Sequence, residues 1–405
     1  MSGMADDSCD IFISGGGVAG LAAAAVFGAA GLSVTVADPA PPVTDAGSDG
    51  ADLRTTAFLR PARDLLVEAG LWARLEADAT PLKVMRIVDA GGARTVPRVS
   101  RDFDAATIGE PAFGWNLPNW LLRRELAARL DELPGVDFRP GVGFRGLLAR
   151  DDAALVTLSD GARLRARLVV GADGRDSPVR EASGIGVRRV RYGQKAVVFA
   201  VTHSRPHDGV STEVHRDGGP FTLVPLPDRD GLPCSSVVWM VRGPEAARLM
   251  ALGEAAFAAE ATDRSAGALG PLTPVGRRQA WPIVSQMANA LTARRVALVA
   301  EAAHVVPPIG AQGLNMSLED VSTLRDLALA RPEGLGEREM LDAYARRRHP
   351  EIAARLAGVD LLNRASMAGA PPLTALRAAG LAALHDVRPV RQALMRLGLG
   401  ALGRR

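Results

Sequence analysis

Between Asp10 and Asp38 the chain reads "DIFISGGGVAGLAAAAVFGAAGLSVTVAD", and few folds accommodate that pattern. Residues 10–14 read as a buried parallel strand, 18–30 as an Ala-rich helix, and 32–37 as a second strand. Gly15, Gly17 and Gly20 stand between the first strand and the helix in the spacing GxGxxG. Asp38 ends the second strand, about 20 residues beyond the glycines. Each element has a physical task. Gly15 allows the tight turn, Gly17 lets the backbone approach a pyrophosphate, and Gly20 lets the helix pack close to the strand. The Asp38 carboxylate can accept hydrogen bonds from a ribose. A lone GxGxxG says little, but strand, helix and acid in register predict an α/β dinucleotide-binding unit. The uncharged run 11–37 also has the length of a membrane span. Its glycines, its Ala-rich helical part and the bracketing Asp10 and Asp38 favour the strand–turn–helix–strand reading.

At 405 residues the chain exceeds a usual single core, so two or three structural units are expected. With 47% hydrophobic and 23% charged residues, a wholly disordered chain is excluded. A net charge of +3 is small for this length, and no RNP, zinc-finger or basic-helix signature occurs, which argues against a nucleic-acid partner. Cys9 and Cys234 match no metal or redox spacing, so a reducing compartment and no metal are expected. The first ten residues are acidic rather than basic, which argues against a signal peptide and for a cytoplasmic protein.

A second strand–loop–helix pattern stands late in the chain, in "RVALVAEAAHVVPPIGAQGLNMSLEDV", residues 295–321. An apolar strand (296–299) precedes Glu301, a Pro/Gly-rich turn (307–313) follows, and an uncharged helix start comes at Leu314. Free N–H groups at such a start sit at the positive end of the helix dipole and suit a negatively charged ligand. The same pattern also serves as an ordinary connection. Between these two regions, 39–53 reads as a mobile loop, and Arg54 stands just ahead of an amphipathic helix, where it could equally be a surface arginine. Residues 83–94 read as a strand pair. "FGWNLPNWLLRRELAARL" reads as a turn and a helix begun by Arg123, with Leu121, Leu122, Leu126 and Leu130 on one face. A strand over 164–170 runs into "GADGRDSPVRE", with Asp173 and Gly174 at its end and a helix from near Ser177. From 192 to 241, β-rich runs alternate with Pro/Gly turns, which predicts a separate antiparallel sheet. Helix returns over 245–261, and 341–405 is mostly helical.

The fingerprint with Asp38, the "GADG" turn and the "AEAAHVVPPIGAQGLN" turn together resemble the flavin monooxygenases of the para-hydroxybenzoate hydroxylase class. Within that class the chain is similar to the UbiH-type ubiquinone-biosynthesis hydroxylases. The likeness extends through "RTTAFL", "GWNLPNWLLRREL", "GAQGLNMSLEDV" and "VDLLNRASM" and covers nearly the whole chain. The resemblance implies an α/β fold: a discontinuous Rossmann-like FAD-binding domain (1–80, 111–185, 281–340), an inserted, mainly antiparallel β-sheet substrate domain (81–110, 186–280) and a C-terminal helical region (341–405). It implies FAD and NAD(P)H as cofactors, and O2 and a hydrophobic phenolic substrate as partners. Oxygen is then activated as a flavin C4a-hydroperoxide that delivers an OH group to an electron-rich ring.

By the same resemblance Gly15, Gly17, Gly20 and Asp38 hold the ADP half of FAD. Arg54 and Arg123 contact the flavin side and the diphosphate or ribityl chain. Asp173 and Gly174 serve both FAD and the reduced nicotinamide, and Glu301 bonds the ribityl chain. Pro308, Gly310, Gly313, Leu314 and Asn315 line the isoalloxazine. Ala300–Glu301 stands where the family carries Gly–Asp, which keeps the carboxylate one methylene further out and adds a methyl group. His304 is expected to be a structural histidine of the turn. Tyr192, His203 and His215 read as packing or surface residues as readily as catalytic ones, and no acid–base pair is assigned. Other flavoenzyme chemistry on this fold, a geranylgeranyl reductase or halogenase type, stays open, although the halogenase "WxWxIP" signature is absent. So does a non-catalytic flavin-binding subunit of a quinone-biosynthesis assembly. The segment 371–405 carries Arg377, Arg388, Arg391, Arg396, Arg404 and Arg405 against Asp386 alone. It suits either peripheral contact with the cytoplasmic face of the inner membrane or packing on the FAD domain.

Overall fold

The computed structural model of the protein describes residues 7–90, 99–216, 218–367, 392 and 395. Its first sheet is built on the strand Asp7–Ser14, which pairs in parallel with Arg163–Gly171 on one side and Val34–Asp38 on the other. Val136–Pro140 extends the sheet beyond Val34–Asp38, and Val296–Leu298 extends it beyond Arg163–Gly171, both in parallel. The central strands are continuous apolar runs because helices cover both faces. Ile11, Phe12, Ile13, Leu168, Val169 and Val170 are wholly buried. The helix Val18–Ala29 is mostly small residues on its buried face, so the helices Asn119–Asp131 and Gln312–Ala330 pack against it. Leu121, Leu122, Leu126 and Leu130 do share the buried face of Asn119–Asp131. Each such leucine contributes about 1.5–3 kcal/mol of burial.

The second sheet has eight strands and forms the separate, mainly antiparallel layer that the sequence predicts. Two strands of 17 residues, Val187–His203 and Leu272–Ala288, run side by side along it. Leu232–Arg242, Gly219–Arg229 and Val210–Arg216 follow as antiparallel neighbours. Val84–Asp89 then joins in parallel, with Val99–Asp104 at the edge. Val197, Phe199 and Trp239 pack with Phe257 on one face, under the helices Gly243–Ala251 and Glu254–Arg264. The other face meets the first domain. A small third sheet, Thr55–Leu59, Gly114–Pro118 and Thr80–Leu82, sits at that junction. It is tied to the second sheet where Asn116 Nδ2 donates to the Pro225 carbonyl at 2.9 Å.

Several local expectations shift. Arg54 precedes a strand, not a helix, and the helix Arg60–Glu68 comes after that strand. Arg123 lies one turn inside a helix that begins at Asn119, because the residues before it pair as a strand. The partner of Val84–Asp89 is Val99–Asp104 rather than a strand within 83–94; residues 91–94 lie outside the described residues. The helix expected over 245–261 is two, parted at Leu252 and Gly253, where the backbone turns extended. The late helix starts at Gln312, two residues ahead of Leu314. A 30-residue helix, Arg338–Met367, closes the described chain, and the basic segment 371–405 lies outside it apart from Gln392 and Met395. Among the described residues no helix is long and apolar enough to cross a membrane.

Candidate cofactor and substrate site

The three glycines of the fingerprint meet different surroundings. Gly15 has φ +118°, and a Cβ there would lie 2.4 Å from the Ala172 carbonyl oxygen. A Cβ on Gly20 would lie 1.9 Å from the Gly15 carbonyl oxygen, so helix and strand touch through the missing side chain. Gly17, at the N-cap of the helix, has nothing within 4 Å of its would-be Cβ. The protein itself requires Gly15 and Gly20, whereas the space at Gly17 is open to a ligand. Asp38 Oδ2 accepts from Gly16 N at 2.6 Å and Oδ1 from Ala40 N at 2.9 Å, which fixes the carboxylate and leaves lone pairs for hydroxyl groups.

Asp173 and Gly174 leave the strand Arg163–Gly171 directly beside Gly15. Asp173 Oδ2 accepts from Ser14 Oγ and Val179 N, both at 3.1 Å. No hydrogen bond reaches its buried Oδ1, and burial pushes the carboxyl pKa up in spite of the Ser177 hydroxyl beside it and of these bonds. Ser177 caps the following helix by accepting from Arg180 N. Arg123 makes no ion pair among the described residues, and its Nε is likewise buried and unpartnered. Such groups are costly unless something pairs with them.

Arg54 is not a loose surface arginine. It forks onto Asp52, Nε to Oδ1 at 2.8 Å and Nη2 to Oδ2 at 2.7 Å, and lies 4.4 Å over the Trp281 ring. Asn119 Nδ2 donates to the same Asp52 at 3.0 Å. Burial would raise the Asp52 pKa, but Arg54 and Asn119 hold it below the ordinary carboxylate value. Sequence reading missed Asp52 and Trp281: the first sits at the end of the expected mobile loop, the second 227 positions beyond Arg54.

Glu301 lies in a one-turn helix, Ala300–Ala303, that follows the strand Val296–Leu298. Arg175 Nε donates to Glu301 Oε2 at 3.3 Å. The Arg175 carbonyl is held in turn by Arg180, Arg189 and Gln286, at 3.0, 3.3 and 2.9 Å. Nothing in the sequence singled out Arg175. Residues 306–311 then lead to Gln312–Ala330, whose N-terminus has no side-chain cap and no acid in its first turn. Asn315 is committed within the protein. Its Nδ2 donates to the Ala57 and Ala311 carbonyls, and its Oδ1 accepts from Leu59 N at 2.9 Å. Gly310 turns with φ +64°, Gly313 is exposed, and Leu314 packs against the core.

A cavity lies between the two domains. Arg54, Arg175, Glu301 and Pro308 line one side; Val198, Val237 and Ile283 of the second sheet line the other, with Trp281 beside Arg54. Of the predicted site residues, the fold thus brings Arg54, Glu301 and Pro308 to one cavity. It brings Asp173 to Gly15, and leaves Gly17, Asp38 and Arg123, and also Gly310, Gly313, Leu314 and Asn315, off the cavity lining. The lining holds one carboxylate and no histidine, cysteine or tyrosine. His304 is buried 2.7 Å from Asp320 and is structural. His203 is bonded to Ser235 and the Arg205 carbonyl, and His215 to Glu213. Tyr192 bonds Asp360, and burial with that carboxylate pushes its pKa up to about 12. None of the four lines the cavity. The open space at Gly17, the orphaned Asp173 Oδ1 and Arg123 Nε, and the uncapped helix N-terminus fit FAD.

Comparison with known proteins gives the family and the fold. The FAD binding domain family matches residues 8–358. Ubiquinone hydroxylase UbiL of Rhodospirillum rubrum is 36% identical over 407 residues, covering 99% of this chain and 92% of that protein. The 3-demethoxyubiquinol 3-hydroxylase of Escherichia coli is 29% identical over 402 residues, covering 98% and 100%. Among solved structures, the p-nitrophenol 4-monooxygenase PnpA of Pseudomonas putida superposes with a TM-score of 0.78 at 20% identity, covering 98% of this chain and 100% of that one. PqsL of Pseudomonas aeruginosa, in complex with 2-aminobenzoylacetate, superposes at 0.76 with 24% identity, covering 89% and 97%. These two structures share the fold.

Proposed function

Because the chain belongs to the FAD binding domain family, as a class A FAD-dependent aromatic-ring monooxygenase, we propose that it hydroxylates a prenylated phenol on the route to ubiquinone, with O2 and NAD(P)H. The observation that carries this reading is the full-length likeness to two hydroxylases of ubiquinone and its precursors. The uncharged sheet wall of the cavity suits a ring bearing an apolar tail.

The chain's own residues divide the work. The helix start at Gly17 and the Arg123 guanidinium would hold the diphosphate, and Asp38 the ribose. Glu301 and Asp173 would accept from ribityl hydroxyls. The N-terminus of Gln312–Ala330 would stabilise negative charge on the ring system. Bound FAD supplies the activation of O2 and the transfer of one oxygen atom to the substrate. Val198, Val237 and Ile283 keep water from the reacting ring, and Arg54, fixed by Asp52 and Trp281, borders it with a positive charge. A polyprenyl phenol resides in the bilayer, so the reading places the protein at the cytoplasmic face of a membrane.

The test is turnover by purified, FAD-loaded protein. NAD(P)H oxidation should depend on a prenylated phenol, and mass spectrometry should find one added oxygen in the product. Oxidation indifferent to every prenylated phenol, with no oxygenated product, overturns the substrate assignment.

A further inference from the structure

Ala300 has φ +55°, a left-handed backbone that residues with a Cβ rarely adopt. It stands immediately before Glu301, the one carboxylate of the cavity wall, so its conformation sets where that side chain points. A neighbour offsets the strain. Asp320, wholly buried on the helix Gln312–Ala330, accepts from Ala300 N at 3.1 Å through Oδ2. The same oxygen accepts from His304 Nε2 at 2.7 Å, so one atom clasps both ends of the turn that carries Glu301. Oδ1 accepts from Arg348 Nε at 2.9 Å, and Arg348 also donates to the Met316 carbonyl. That guanidinium anchors the carboxylate to the long helix Arg338–Met367. None of Asp320, His304 and Arg348 lines the cavity.

We propose that Asp320 is a positioning residue for the flavin: through Ala300 and His304 it holds the turn in the left-handed conformation that aims Glu301 into the cavity. This rests on the FAD site described above. An ion cluster that merely joins three elements would hold the fold together and leave cofactor affinity untouched. Glycine tells the two roles apart, because it adopts positive φ without help. A turn with glycine at its first position needs no clasp.

The experiment measures FAD affinity of the apoprotein, by titration of the flavin absorbance band, and the urea unfolding midpoint. It compares the wild type, Asp320→Asn, Ala300→Gly and the double variant. Asp320→Asn should weaken FAD roughly tenfold, the lower end of what loss of an outer orienting partner costs at metal sites. Adding Ala300→Gly to the Asp320→Asn background should recover most of that affinity while the unfolding midpoint stays low. Unchanged FAD affinity in Asp320→Asn, or a double variant that binds no better, overturns the proposal. Should Asp320→Asn fail to fold, His304→Gln opens the other end of the clasp and keeps the Asp320–Arg348 pair. The same loss and the same rescue by Ala300→Gly are then expected, and their absence is equally fatal. A wild type that binds no FAD overturns the cofactor reading itself; a flavin-binding wild type with an unaffected Asp320→Asn variant overturns only the positioning role.

Discussion

Each glycine of the fingerprint answers to a different constraint, and substitutions separate them. Gly17 has ordinary extended backbone and open space around it, so Gly17→Val should fold within about 1 kcal/mol of the wild type yet purify colourless. Gly20→Ala forces a methyl against the Gly15 carbonyl and should cost about 1–3 kcal/mol or more. Urea unfolding and flavin content of the two variants check both statements, and a fully flavinated Gly17→Val protein would place the pyrophosphate elsewhere. Asp173 carries a pH signature. Its folded pKa lies above the ordinary 3.8, because burial outweighs its hydrogen bonds. A raised carboxyl pKa means that stability from this group is fully present below 3.8 and is lost as pH rises through the folded value. Asp173→Asn cannot ionise, so its stability relative to the wild type should climb as pH is raised toward neutrality. A difference that is flat with pH would mean that Asp173 is not strained by its burial. The glycines were legible in sequence because their spacing is local. Asp52, Arg175 and Trp281 were not, because each matters through a partner or a cavity that only the folded chain supplies.

The turn Ala300–Ala303 and the helix start at Gln312 are the elements to which the proposed FAD site assigns the flavin. Glu301→Ala should weaken FAD severalfold, for a lost hydrogen bond of roughly 0.5–1.5 kcal/mol, and Glu301→Asp should do less harm. Equal flavin affinity in Glu301→Ala, by equilibrium titration, would remove Glu301 from the site. Asn315 ties the strand Thr55–Leu59 to that helix start, and Asn315→Ala leaves half-buried backbone groups unpaired. A loss of about 2–3 kcal/mol in urea unfolding is expected. Elements were read well where their pattern was long. The strand–helix–strand at the N-terminus, the strand into "GADG" and the β-rich region 192–241 all stand where the sequence puts them. Thr55–Leu59, Thr80–Leu82 and Gly114–Pro118 are five residues or fewer, too short to alternate visibly, and pair with partners far off in sequence. The pairing, not the local pattern, makes them strands.

In the whole molecule, the second sheet is not one insertion. Val84–Asp89 and Val99–Asp104 come from early in the chain, and Leu272–Ala288 runs past residue 280. A fragment of residues 186–280 lacks three of the eight strands, Val84–Asp89, Val99–Asp104 and His304–Val305, and half of Leu272–Ala288, and it should show no cooperative unfolding by circular dichroism. A fragment that melts sharply would mean that the remaining strands suffice. Leu272–Ala288 also does something that domain boundaries conceal. Its residues Trp281 and Ile283 face the cavity, and a few residues on it pairs with His304–Val305, within the segment that carries Glu301 and Pro308. The wall from the second sheet and the wall that carries Glu301 and Pro308 are therefore rungs of one ladder rather than two jaws docked on each other. A slot built that way keeps its gauge: swinging the walls apart would break sheet hydrogen bonds, whereas displacing residues 306–311 breaks few. Entry to the cavity is therefore expected by displacement of residues 306–311, with the pairing of Gln286 and Met287 to Val305 and His304 left in place.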